Sequence, residues 1–124
     1  MKYVDGFVFV VPKKNLKAYK KMAQMAGKLW RKYGALEYFE CMGDDPHPKM
    51  GGMKAVTFPQ ITKLKKYETV WFSFIIYKSK KHRNQVNAKV MKDSMMHKEE
   101  WKDKPMPFDM KRMAYGGFKT IVEE

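Results

Sequence analysis

Two runs in this chain, YVDGFVFVV at residues 3–11 and TVWFSFIIY at 69–77, are apolar on both faces that a strand presents. In the first, Tyr3, Phe7, Phe9 and Val11 share a face with Asp5, while Val4, Val8 and Val10 share the other with Gly6. In the second, Val70, Phe72, Phe74 and Ile76 alternate with Trp71, Ser73, Ile75 and Tyr77. Successive side chains of a strand point to opposite sides. Apolarity on both sides therefore predicts that both are covered.

Each run heads the same series. Residues 3–11 lead into a basic amphipathic segment at 14–33 and an apolar run at 35–42; residues 69–77 lead into a second basic segment at 79–92 and a closing run at 112–122. Strand–helix–strand, twice, predicts one α+β domain over residues 1–124: a ferredoxin-like βαββαβ unit with a four-stranded antiparallel sheet. Two helices cover only one side of such a sheet. The other side would expose an aromatic patch larger than a soluble monomer carries. A second copy laid sheet on sheet closes it most simply, so a homodimer through the sheet faces is expected.

The first helical segment places Leu16, Tyr19, Ala23, Ala26, Trp30 and Tyr33 on one stripe, with lysines filling the rest, and Gly34 stands where a helix stops. Ser79 is a plausible N-cap for the second, whose inner line of His82, Val86 and Val90, with Arg83 and Asn87 alongside, is more polar than packing requires. Residues 43–53 (GDDPHPKMGGM) read as a long turn. Residues 54–64 read as a short extended segment and a bend, and 94–110 as irregular with one helical turn at 98–101.

The formal net charge is +13, and of 26 basic residues only Arg31, Arg83 and Arg112 are arginine. Specific nucleic-acid readers rely on guanidinium forks, whereas lysine is a mobile, hydrated point charge. The lysines read as dispersed over helices, strand ends and loops, predicting a solvated surface and no sequence-specific nucleic-acid partner. The lone Cys41 excludes an internal disulfide. Asp5 and Pro12 break the early apolar run, so it does not read as a signal peptide. No stretch reaches the length of a membrane span. A cytoplasmic protein with no membrane partner is expected.

No catalytic motif is present, and no cofactor is indicated. Asp5, an acid among aromatics, either bonds a neighbour such as a tyrosine hydroxyl, lines a cavity, or is turned outward by a bulge at Asp5–Gly6. Tyr38 and Glu40 share one strand face, and Glu37 takes the other beside Cys41, which reads as a small buried hydrophobe. His47 lacks metal-site spacing, so no metal is expected. The Gly116–Gly117 pair marks a bulge or a close backbone approach. A ligand cleft between sheet and helices would draw on Asp5, Trp30, Tyr38, Glu40, Ser73, His82, Arg83, Asn87 and Tyr115. Two functions stay open: a homodimer that binds, or binds and transforms, a small molecule in that cleft, or a non-enzymatic basic module contacting an acidic partner or nucleic acid non-specifically.

The segments YVDGF, GALEYFECMGDD, FPQ, WFSFIIYKSKKHRNQVNAKVM and MPFDMKRMAYGGF, in this order, carry a resemblance. Over residues 3–120 the chain resembles the YbaA-like small bacterial proteins, a domain of unknown function. That resemblance implies the dimeric α/β-barrel superfamily, in which two ferredoxin-like protomers close their sheets into one barrel. Cofactor-free monooxygenases and haem-degrading enzymes share that fold, but fold alone transfers no chemistry. Two positions depart from the family pattern: Tyr33 stands where a histidine is expected before Gly-Ala-Leu, and Asn84 where an acid is expected after Arg83.

Overall fold

The computed structural model describes residues 1–98 and 105–124. Strand β1 (Tyr3–Pro12) leads through a short 3-10 turn into helix α1 (Leu16–Lys32) and strand β2 (Glu37–Met42). A long connection carrying the short helix α2 (Phe58–Thr62) precedes β3 (Glu68–Tyr77), helix α3 (Lys80–Lys92) and β4 (Ala114–Lys119). The four strands form one sheet in the order β2-β3-β1-β4, every neighbouring pair antiparallel. The long strands β1 and β3 are central, where continuous apolar runs belong.

Alternation then sorts the side chains. Phe9, Val11 and Trp71 on one face pack with Tyr19 and Ala23 of α1. On the same face Ile75 and Tyr77 pack with Leu29 of α1 and with Val86 and Val90 of α3. The opposite face carries Phe39, Phe72 and Phe118, which are 44%, 45% and 62% exposed. Its centre is an apolar concavity of about 680 Å³, bounded by Val4, Val8, Phe74, Ile76 and Ala114 and floored by Gly6 and Gly116, which pair in register. Helices α1 and α3 thus cover one side and leave the other, as apolar as the first, largely open.

The ends of the elements follow local chemistry. Gly34, with φ of 115°, takes the left-handed position that closes α1. The Ser79 hydroxyl accepts from the His82 N–H to cap α3. Three readings need correction. Residues 58–62 are a helix and not a bend, because Thr57 and Gln60 form a reciprocal capping box with Pro59 in the first turn. The closing strand spans only Ala114–Lys119, since Asp109 caps a 3-10 turn at Met110–Arg112 and Arg112 is drawn into ion pairs with Glu68 and Asp109. Cys41 is exposed, because its face of edge strand β2 is the open one, opposite Phe72. The helical turn expected at 98–101 falls mostly outside the described residues.

Candidate functional site

Asp5 decides where polar chemistry collects. The register through it is unbroken, Ile75 on one side and Gly117 on the other, so no bulge turns the acid outward. It is 2% exposed and faces the helices. Arg83, in the first turn of α3, reaches back to it with Nη1 3.4 Å from Oδ1. The guanidinium gives its better bonds to phenols: Nη1 donates to the Tyr115 hydroxyl at 2.8 Å and Nη2 to the Tyr3 hydroxyl at 3.4 Å. Arg83 also lies over the Tyr3 ring, 5.1 Å from its centroid.

The arrangement leaves two polar atoms unmet. Asp5 Oδ1 and Arg83 Nε are buried and have no hydrogen-bond partner among the described residues. Burial raises the Asp5 carboxyl above the ordinary carboxylate range, against the opposing pull of Arg83 and the Tyr115 and Tyr77 hydroxyls. Burial likewise pushes the Tyr77 phenol up, helped by the Asp5 charge.

Asn87, one turn further along α3, extends the cluster inward. Its Oδ1 accepts from the Trp30 indole at 3.0 Å and from the Tyr77 hydroxyl at 3.3 Å. Trp30 contacts the Tyr38 ring at 6.4 Å. There a second group begins: Glu40 accepts from the hydroxyls of Tyr19 at 2.7 Å, Tyr38 at 2.6 Å and Ser73 at 2.5 Å. Both oxygens are engaged, Oε1 by Tyr19 and Ser73 and Oε2 by Tyr38. Burial, followed by the Glu40 charge, drives both tyrosine phenols well above their usual range.

The nine candidates therefore fall into two groups with different chemistry. Asp5, Arg83 and Tyr115 meet around the unmet polar atoms, and Asn87 and Trp30 are joined to them through Tyr77. Tyr38, Glu40 and Ser73 form a satisfied hydrogen-bond node that pins edge strand β2 to β3 and α1. His82 stands at the rim: its Nδ1 accepts from the Lys78 N–H at 3.0 Å, its ring meets Tyr77 edge-on, and burial lowers its pKa. The two departures from the family pattern lie apart from both groups. Tyr33 donates to Asp93 at 2.6 Å, tying the ends of α1 and α3, and Asn84 is exposed on α3.

Three tyrosines outside the nine candidates, Tyr3, Tyr19 and Tyr77, join these groups. Tyr3 and Tyr77 face each other across β1 and β3, and Tyr3 shares the face of Asp5 two residues away. Period-two alternation already placed Tyr3 beside the acid. Gly117 makes room for it, since a Cβ there would clash with the Tyr3 hydroxyl and ring. The glycine pair in β4 is thus a close approach and not a bulge. Among the described residues no cluster of three or more metal-ligating side chains occurs, and no helix is long and apolar enough to cross a membrane.

Residues 2–110 match the model of a family described as "Protein of unknown function (DUF1428)". The chain is 43% identical over 124 residues to the uncharacterized protein YbaA of Escherichia coli (strain K12), covering 100% of both. The same identity and coverage hold for the YbaA of Shigella flexneri.

Proposed function

The chain belongs to the DUF1428 family, whose description names no activity, and we propose from its own geometry that it is a homodimeric small-molecule-binding protein. In this reading each protomer is a ferredoxin-like unit, supported by the split strand order β2-β3-β1-β4. Two protomers meet through the open sheet faces as a dimeric α/β barrel. The ligand binds between sheet and α3, beside Asp5 and Arg83. The carrying observation is the pair of unmet atoms, Asp5 Oδ1 and Arg83 Nε, on the two partners of one buried ion pair.

A buried polar atom without a partner costs about 1–3 kcal/mol, so each one calls for a reason, and a bound ligand supplies one. A ligand with a hydrogen-bond donor beside an acceptor would satisfy both atoms. Tyr115, 54% exposed and stacked on Phe7 at 4.7 Å, forms the approach from solvent. A ring wall with a few convergent polar groups is the usual form of a small-molecule site.

The test is a thermal-shift screen of a metabolite and dye library, repeated with Arg83→Ala and Asn87→Ala. The reading expects a hit that raises the melting temperature of the native chain and fails on both variants, while their mass in solution stays that of the native protein. If the residues are purely structural, each variant instead loses about 1–3 kcal/mol of stability and the hits are unaffected.

A further inference from the structure

The expectation of dispersed lysines needs correction along α1, and the correction carries an interaction surface. Neither α1 nor α3 contains an acidic residue. Along α1, Lys17, Lys21, Lys28 and Lys32 recur at steps of four, seven and four residues, all exposed. At 3.6 residues per turn those steps form one line, on the side opposite buried Tyr19 and Ala23. The line runs about 22 Å at ~1.5 Å per residue. Lys32 pairs with Asp93 at 3.4 Å; Lys17, Lys21 and Lys28 have no ion pair among the described residues.

We infer that this face of α1 docks the phosphodiester backbone of duplex nucleic acid, without reading its sequence. A row of unpaired cations at helical spacing complements a row of phosphates. A membrane surface fits less well. A helix lying on lipid inserts an apolar face, whereas the apolar stripe of α1 is buried against the sheet and none of its large hydrophobic residues is exposed. Single strands need aromatic platforms, and Trp30 is turned inward to Asn87. Base reading needs forked donors, and Arg31, the one arginine of α1, is bonded to the Ala35 carbonyl. None of these lysines belongs to the Asp5–Arg83 cluster, so the inference stands apart from the small-molecule reading.

Fluorescence anisotropy with two short DNA duplexes of unrelated sequence tests it, using the native chain, Lys21→Glu/Lys28→Glu, and a control of equal charge change, Lys49→Glu/Lys54→Glu in the loop after β2. The native chain is expected to bind both duplexes with affinities within ~3-fold of each other, losing affinity steeply between ~50 and ~200 mM salt. The helix pair should weaken binding at least ~10-fold and flatten the log–log salt slope by about 2, one contact per lysine, while the loop pair leaves the slope unchanged. Circular dichroism confirms folding, and Lys21→Gln/Lys28→Gln should give the same ordering with a smaller loss. Equal effects of the helix and loop pairs would overturn the inference, reducing the binding to net charge. It would equally be overturned by no binding at ~50 mM salt, or by binding to phosphatidylserine vesicles with none to duplex.

Discussion

An aspartate in the middle of a central strand is costly unless something repays it, and at Asp5 the repayment is incomplete. Arg83 stands close enough for charge but directs its hydrogen bonds to Tyr3 and Tyr115. The pH dependence follows with a definite sign. The folded-state pKa of Asp5 lies above its ordinary value of 3.8, so the folded chain holds a proton that the unfolded chain has released. Stability from this group is therefore present at low pH and falls as pH rises through the folded pKa. Denaturation of the native chain and Asp5→Asn across pH 4 to 8 should show the native chain losing stability relative to the variant as pH rises. A difference that is flat, or that grows in favour of the native chain, would contradict the raised pKa. The acid, Arg83 and Asn87 were legible in the sequence because each breaks an apolar pattern. Tyr3 and Tyr77 were not, because a tyrosine fits an apolar strand and its hydroxyl leaves no trace in periodicity. Glu40 was legible as a residue but not in its role, since its three donors come from β2, β3 and α1.

At the level of elements, the long strands and helices were readable because each has many residues reporting one period. The start of α3 at Ser79 and the end of α1 at Gly34 followed from caps. The short helix α2 was missed because five residues are too few for a period to emerge; its signal was the Thr57–Gln60 capping box. That box makes a prediction. Thr57→Ala removes the acceptor for the Gln60 N–H and should cost about 1 kcal/mol in chemical denaturation, with little change in the secondary structure of the rest. A change below ~0.3 kcal/mol would mean that contacts such as Phe58 against Phe72 hold α2 without its cap. The shortening of β4 was unreadable for a different reason: Arg112 finds Glu68 forty-four residues away, and no local pattern encodes such a partner.

On the scale of the whole molecule, the sheet has one clothed face and one bare one, and the bare face is as apolar as a core. The helix side binds its own α1 and α3; the open side presents Phe39, Phe72, Phe74 and Phe118 around a concavity floored by glycines. In the proposed dimer this face meets its own copy about a two-fold axis, and the interface should bury about 1,200–2,000 Å², as a specific contact does. Carboxylates placed on it would be buried without partners. Phe72→Glu with Phe118→Glu is therefore expected to separate the protomers while leaving the helix-side core, which neither residue touches, folded. Light scattering of the native chain at micromolar concentration reads this association as a mass. A sheet-to-sheet dimer gives twice the chain mass of 14.7 kDa, unchanged by salt; a mass of 14.7 kDa, with the Phe72 face open to solvent, would rule it out.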